Sequence, residues 1–266
     1  ESTRPIRQEQ NSPGWPAAVG EILPDLPNVR HGQAWAVAHS HPLTVEYFLN
    51  LSPYQVAIRD LKSDRAWGQA ALPIVEANPQ SLSALDRLTF YAEVPTTDLN
   101  QQRAYLERAL AIAREEMGDE STSYQVYALC WLARFLYDEA GKAMEAEPML
   151  TEALDLAAGS GYPDLEIHVL AEAARFFLLL RDRTGLQAAA DRLPVEPPVM
   201  HAAGLSGNYY HTLRAETLRQ VGRWREAEGT YSQILDLYEA IQDRRHGAVF
   251  RLRRALCRVH LDNAEG

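Results

Sequence analysis

The feature of this sequence that most constrains its fold is a stretch that occurs twice. Residues 141–154 read GKAMEAEPMLTEAL, and residues 222–235 read GRWREAEGTYSQIL. A glycine permits a tight turn, and an alanine permits two helices to approach closely. The pattern therefore predicts a repeated helix–turn–helix unit, and stacked units of this kind commonly form a binding surface. The aligned positions are Gly141 and Gly222, Ala146 and Ala227, Leu150 and Tyr231, and the apolar pairs at 153–154 and 234–235.

Helical periodicity extends over nearly all of the sequence after Pro42, and the signals typical of strands are nearly absent. Glycine or proline ends many of these segments, and serine or aspartate begins several, with Ser81 as one predicted N-cap. We keep one helix through Pro148, although a proline there removes a backbone hydrogen bond. The predicted fold class is all-α, with helices at 45–51, 53–61, 65–77, 81–94, 98–117, 121–141, 142–158, 164–180, 184–193, 204–221, 223–242 and 246–261.

The segment 1–42 differs from the rest because prolines interrupt the helical pattern at positions 5, 13, 16, 24, 27 and 42. This part of the sequence predicts an extended, Pro-rich N-terminal arm with one short helix near 15–23. Its apolar side chains, among them Trp15 and Trp35, are too numerous for a solvated tail, so we expect the arm to dock along the helical array. The predicted domains are the arm, 1–42, and the array, 43–266.

The spacing of similar segments indicates how many repeats the array contains. The apolar pair at 109–110 recurs at 153–154, and that pair recurs in turn at 234–235. The first offset is one unit and the second is two units of about 40 residues, which is a usual length for a helical repeat. The Ala-Arg-Phe at 133–135 recurs at 174–176, again about one unit later. We therefore predict four or five helix pairs.

Three segments carry a resemblance to a known family: ERALAIAREEMGD at 107–119, ALCWLA at 128–133 and AEPMLTEAL at 146–154. Together they resemble the tetratricopeptide repeat, in the long form of about 42 residues found in kinesin light chains and many bacterial regulators. The resemblance covers roughly 65–262, is clearest at 121–158 and 205–242, and implies a right-handed α-solenoid. Two units depart from the family pattern, since 163–193 lacks the turn glycine and 95–98 reads Pro-Thr-Thr-Asp in its place.

The resemblance also implies a binding groove, because the first helix of each pair lines the concave face of a tetratricopeptide array. Aromatic side chains and both signs of charge on that face suit a peptide or helix of a partner protein. The alternative for Trp131, Phe135 and Phe176 is packing between repeats. The family's lysine and asparagine clamp for a carboxylate has no match here, so we expect no binding of acidic chaperone tails. The implied groove residues are Arg87, Tyr91, Trp131, Phe135, Asp138, Glu172, Phe176, Tyr209, Glu216 and Arg219.

Net charge and the last predicted helix bear on other partners. The formal net charge of −10 and the pI near 5.3 weigh against non-specific binding to nucleic acid or anionic membranes. The last helix is nevertheless basic, with arginines at 244, 245, 251, 253, 254 and 258. It also has an apolar stripe of Val249, Leu252, Leu256 and Val259. The alternatives are a capping helix with a solvated basic face, a docking site for an acidic partner or nucleic acid, a homo-oligomer contact, and continuation of the array downstream.

A different class of function rests on the histidines of the arm. His39 and His41, with His31 nearby, could hold a metal ion or help bind a small molecule in the cleft between arm and array. Such a chain would be a sensor. Exposed loop histidines are the simpler interpretation, so we expect no metal and no cofactor.

The sequence contains no motif typical of catalysis. It has no phosphate-binding glycine loop, no nucleophile elbow and no His-Glu-x-x-His, so we expect a binding protein and not an enzyme. Cys130 and Cys257 lie in helical patterns and are expected to be buried free thiols. No apolar run approaches the ~20 residues that cross a bilayer, and the expected compartment is the cytoplasm. Because the sequence begins at Glu1 and not at Met, we expect it to be trimmed.

Overall fold

The structure of the protein, a computed structural model, describes residues 23–57, 61–118, 121–195, 207–240 and 244–265. All regular secondary structure in these ranges is helical, and no strand occurs in them. The predicted all-α fold class is therefore confirmed. No helix in the described ranges is both long enough and apolar enough to cross a membrane.

The chain forms two compact units, Glu1–Gly141 and Lys142–Gly266. The described part of the first unit has six α-helices, and a 3-10 turn precedes the first (Leu23–Asp25) and the fourth (Pro79–Ser81). Helix α1 packs against α2 and α3, α2 against α3 and α4, and α5 against both α4 and α6. The helices are α1 (Leu26–Ala38), α2 (Leu43–Ala57), α3 (Leu61–Ala77), α4 (Ala84–Glu93), α5 (Leu99–Glu115) and α6 (Ser121–Asp138).

The described part of the second unit also has six helices. Each packs against the next along the chain, and α8 additionally packs against α10. Contacts between next-but-one helices, seen here and for α1–α3 and α2–α4 in the first unit, are typical of stacked helix pairs. The helices are α7 (Ala143–Ser160), α8 (Pro163–Leu180), α9 (Arg183–Arg192), α10 (Gly207–Gln220), α11 (Trp224–Ala240) and α12 (Arg244–Glu265).

Local sequence explains several of the helix boundaries. The carboxylate of Asp98 accepts hydrogen bonds from two backbone N–H groups in the first turn of α5, at 2.8 and 3.2 Å. Ser83 caps α4 by accepting from the backbone N–H of Asp86 at 3.1 Å, so the predicted cap at Ser81 is wrong by two positions. Helix α7 continues through Pro148, as predicted.

Residues 26–38 form helix α1, where the sequence predicted an extended arm. Pro27 lies in the first turn of α1, where its missing N–H costs no intrahelical hydrogen bond, and no proline follows until Pro42. The helices predicted at 45–51 and 53–61 are one helix, α2. The short helix predicted near 15–23 lies outside the described residues, apart from Leu23.

Each unit has its own apolar interior. In the first unit, Phe48 of α2 and Phe90 of α4 meet edge to face with their ring centroids 5.5 Å apart, and both rings are fully buried. In the second unit, one cluster joins α8, α9 and α10, and another joins α9, α10, α11 and α12 around Tyr231 and Phe250. Cys130 and Cys257 are buried free thiols, as predicted.

Candidate functional site

The two copies of the duplicated stretch have the same local structure. Gly141 and Gly222 are both left-handed, with φ of 65° and 84°, and a helix begins two positions after each. The aligned alanines and bulky residues are buried in both copies, as are Ala153 and the pair at 234–235. The duplicated residues therefore build the turn and the interior, and the accessible surface of each helix pair is formed by residues outside this shared set.

In the first unit, two implied groove residues lie on α4. The guanidinium of Arg87 forms a bidentate ion pair with the carboxylate of Glu116, with one of its hydrogen bonds at 3.1 Å. Tyr91 is fully buried, and the guanidinium carbon of Arg108 lies 4.6 Å from its ring centroid. Burial raises the pKa of the Tyr91 hydroxyl, and the nearby Arg108 opposes this shift. Tyr91 is thus an interior residue, and its ring lies against the guanidinium of Arg108.

Three further implied groove residues lie on α6. Phe135 is buried, at 4% exposure, which agrees with the packing alternative for this residue. Trp131 is only half-buried and stacks on Tyr127, with their ring centroids 6.3 Å apart. Asp138 lies one turn from Arg134, and its carboxylate is 3.7 Å from the Arg134 Nε atom.

Five accessible side chains of α6 lie on the same side of the helix. Positions three or four apart lie on the same side of a helix, and Tyr124, Tyr127 and Trp131 follow this spacing. All three are half-buried, and the same side continues to Arg134 and Asp138. We call these five residues the aromatic face of α6. The predicted groove residues do not include Tyr124 and Tyr127, although the helical spacing of these two residues from Trp131 is visible in the sequence.

In the second unit, the implied groove residues of α8 are interior. Glu172 and Phe176 are both buried, and the Phe176 ring lies 5.6 Å from that of Phe177. For Phe176 this position again agrees with packing. Tyr209 lies on α10, but its side chain is outside the described part of the structure.

The structure brings Glu216 and Arg219 of α10 together in a charged cluster. Glu216 has a side chain only 14% exposed, and it accepts hydrogen bonds from Arg219 Nη2 at 2.8 Å and from the Tyr231 hydroxyl at 2.6 Å. The Nη1 atom of Arg253 on α12 lies 2.6 Å from the same carboxylate. Burial, followed by the adjacent Glu216 carboxylate, raises the pKa of the Tyr231 hydroxyl, which therefore remains a donor.

The cluster around Glu216 ties together α10, α11 and α12. Its carboxylate is already matched by two guanidinium groups and a hydroxyl, so its main effect is to hold these helices in place. The sequence does not indicate Tyr231 and Arg253 as partners of Glu216. No local signal connects them to Glu216, because they lie on two later helices.

A buried cation lies on the same helix. Arg214 donates to the Thr230 hydroxyl at 2.5 Å and to the Leu193 carbonyl at 3.4 Å, and its Nη2 atom is 4.0 Å from the Glu226 carboxylate. Burial lowers the pKa of the Arg214 guanidinium. Thr230 and Glu226 lie on α11, and Leu193 directly follows α9. We therefore interpret Arg214 as a link between the helices of this unit.

The three arm histidines do not form a cluster with metal-binding geometry. The Nδ1 atom of His39 lies 2.8 Å from the Trp35 carbonyl, and Nδ1 of His41 accepts from the backbone N–H of Leu43 at 3.2 Å. In the described ranges, no three His, Cys, Asp or Glu side chains are grouped so as to hold a metal ion. These contacts place His39 and His41 at the end of α1 and the start of α2.

Helix α12 has two different apolar sides. Phe250 and Cys257 face the interior of the second unit. The predicted stripe of Val249, Leu252, Leu256 and Val259 is exposed, with values between 47% and 64%. Three of the predicted arginines form ion pairs within the chain, Arg251 with Glu239, Arg253 with Glu216 and Arg258 with Glu228, and Arg254 donates to the Ser232 hydroxyl at 3.4 Å.

No protein-family model matches the sequence, and no curated protein matches it. Support for a function therefore comes from the site residues themselves.

Proposed function

We propose that this chain is a helical-repeat interaction module that binds a peptide or helix of a partner protein. Its helix pairs are of the tetratricopeptide kind, stacked as an α-solenoid. Two observations support this architecture: the duplicated turn has the same backbone in both copies, and helices in each unit contact their next-but-one neighbours. Arrays of this kind bind through side chains that vary on a constant frame.

The aromatic face of α6 is the surface that carries the proposal. It presents three half-buried aromatic rings on one side of a helix, with Trp131 stacked on Tyr127. Aromatic side chains offer a large contact area and lose little conformational entropy on binding. Half-burial is the important property, because the ring edges are held by their neighbours while the remaining surface contacts a partner.

The charged end of this face gives a partner its orientation. Arg134 and Asp138 form a long, solvent-screened ion pair at 3.7 Å, which contributes little to folding. A bound peptide could replace one member of this pair with its own charged group at small cost. The proposed ligand is therefore a peptide segment with apolar side chains followed by a charged residue.

A peptide array tests this proposal with the purified chain of residues 1–266 and three variants. Trp131→Ala removes the central ring, and Tyr162→Ala serves as the control because Tyr162 is an exposed aromatic outside the face. We expect selected peptides to bind the Trp131→Ala variant at least about tenfold more weakly, which corresponds to ~1.4 kcal/mol. The control should bind as the unmodified chain does, and Arg134→Ala should alter the charge preference of the selected peptides.

Two results would contradict the proposal. The first is an array on which the unmodified chain selects no peptide. The second is equal affinity for the unmodified and Trp131→Ala chains, provided that both have the same far-UV circular dichroism spectrum. Tyr91→Ala and Phe135→Ala are unsuitable for this test, because both side chains are buried and their loss affects folding.

A further inference from the structure

Helix α12 is apolar on two opposite sides, and only one side is covered in the described structure. Phe250 and Cys257 pack into the second unit. On the other side, Val249, Leu252, Leu256 and Val259 are about half exposed. A helix that is apolar on both sides is normally packed on both sides. We therefore expect a further protein segment to cover the exposed stripe.

The stripe reads the same in both directions. Its residues are Val, Leu, Leu and Val, at spacings of three, four and three positions. This is the spacing of the seam of a helix pair, in which side chains of two helices interdigitate. Exposed alanines at 248 and 255 lie beside the stripe and allow close approach of a second helix. The stripe itself contains no charged residue.

We infer that the occupant is α12 of a second copy of this chain, in an antiparallel pair related by a two-fold axis near position 254. In this arrangement Val249 contacts the partner subunit's Val259, and Leu252 contacts the partner subunit's Leu256. Each contact then occurs twice, as a two-fold interface requires. The palindromic order of the stripe is what makes the surface complementary to itself.

Charge favours a second copy over an acidic partner. Arg251, Arg253 and Arg258 lie close to carboxylates of their own chain, at 3.2, 2.6 and 2.7 Å. Two such helices can therefore approach without strong repulsion between these arginines. An acidic partner would instead have to displace these carboxylates, and it would find an uncharged surface along the stripe.

The area of the stripe predicts a weak dimer. One face of about three helical turns supplies an apolar patch of roughly a few hundred Å², below the ~800 Å² per partner of a standard interface. The equilibrium should therefore depend on concentration, with a dissociation constant on the order of micromolar or weaker.

Sedimentation equilibrium of the full chain over about two decades of concentration tests this inference. We expect the unmodified chain to dimerise, and Leu252→Glu to raise the dissociation constant at least about tenfold, because it places a charge in the seam. Leu179→Glu is the matched control, since Leu179 is also an exposed leucine, at 55%, but lies on α8. An unmodified chain that stays monomeric, or a Leu252→Glu chain that dimerises normally, would overturn the inference.

A double variant tests the direction of the pair. Leu252→Glu/Leu256→Lys sets opposite charges against each other only when the two helices are antiparallel. We expect it to recover part of the affinity that Leu252→Glu loses. A double variant as weak as the single one would overturn the antiparallel arrangement. Trp131→Ala should leave dimerisation unchanged, so failure of the peptide-binding proposal and failure of this one are distinguishable.

Discussion

Helices α6 and α10 precede the two copies of the duplicated stretch, and they use equivalent positions in opposite ways. When Gly141 is aligned with Gly222, Phe135 of α6 corresponds to Glu216 of α10, and Trp131 corresponds to Thr212. Phe135 is an apolar interior residue, whereas Glu216 accepts hydrogen bonds from an arginine and a tyrosine. The turn and the small buried residues are therefore the same in both copies of the repeat. The residue types on the helix before the turn differ between the copies.

Glu216 is stable at its position only because other helices bring the right partners. A carboxylate with little exposure would be costly without hydrogen bonds and a counter-charge. Here Tyr231 of α11 donates a hydrogen bond, and Arg253 of α12 supplies the charge. The same repeat position therefore accepts a ring or a carboxylate, according to which side chains lie across from it.

The largest expected effect comes from removing the ring at the apolar member of this pair. Phe135→Ala deletes a buried ring, so we expect the free energy of unfolding to fall by about 3–5 kcal/mol, measured by urea denaturation. Trp131→Ala, which removes a half-buried ring from the same helix, should have a clearly smaller effect. Equal losses for the two variants would show that Phe135 is not an interior residue.

The next largest loss of stability is expected at Glu216, the polar residue of this aligned pair. Glu216→Ala leaves Arg219, Arg253 and the Tyr231 hydroxyl without their acceptor, and we expect a loss of about 2–3 kcal/mol in unfolding free energy. Glu239→Ala is the control, because Glu239 forms a solvent-exposed pair with Arg251 at 3.2 Å and should contribute less than ~1 kcal/mol. If the two variants lose the same stability, the charged cluster has no special role in joining α10, α11 and α12.

The turn glycines should behave alike in both copies, in contrast to the helices before them. Gly141→Ala and Gly222→Ala force a side chain into left-handed backbone, so each should cost about 1–2 kcal/mol. Among the described residues, a Cβ atom added at Gly141 would meet no non-adjacent atom within 4 Å, and one added at Gly222 would meet the Trp224 Nε1 atom at 3.8 Å. The cost is thus conformational and not steric.

Gly229→Ala is the matched control for these turns. Gly229 lies inside helix α11 with open space around it, so the substitution should increase stability by about 0.5–1 kcal/mol. A loss at Gly229, or no loss at either turn glycine, would contradict the conformational explanation.

The smallest expected effect is a pH dependence of stability. Of the two copies of the repeat position concerned, only the one in the second unit carries a histidine. His211 of α10 corresponds to Cys130 of α6. Burial, and then the nearby Arg214, lowers the pKa of His211, and its buried Nδ1 atom has no hydrogen-bond partner in the part of the chain that the structure describes. Since the unfolded chain then takes up a proton at a higher pH than the folded one, stability should fall as the pH drops below about 6.5.

Thermal unfolding at about pH 7.5 and pH 5.5, on either side of the ordinary histidine pKa, measures this dependence. His211→Gln should reduce the difference in melting temperature between the two conditions. His31→Gln is the control, because His31 is exposed, and it should leave the difference unchanged. An unaltered difference in the His211→Gln variant would contradict the assignment of this pH dependence to His211.

Most helix positions could be predicted because their signals are local. Asp98, Gly141 and Gly222 mark boundaries through hydrogen bonds and backbone angles that depend only on near neighbours. The predictions that differ from the structure involve competing local signals. Ser81 and Ser83 are both possible caps, and proline at position 27 reads either as part of an extended arm or as the first turn of a helix.

The candidate site was harder to predict, because burial depends on what packs on top of each residue. Tyr91, Phe135 and Phe176 have the same helical spacing as accessible groove residues, yet all three are interior. Trp131 is also aromatic, but it is only half-buried. Helical periodicity identifies one side of a helix, but it does not say whether another helix covers that side.

The all-α fold, the duplicated turn and the small residues that let the helices approach can all be derived from the sequence alone. Those features follow from backbone preferences and from side-chain size, which each residue carries with it. The tertiary structure is needed to see that residues from two later helices bind the Glu216 carboxylate. It is also needed to see that the stripe of α12 is exposed. Both depend on contacts between residues far apart in the chain, and such contacts leave no local pattern.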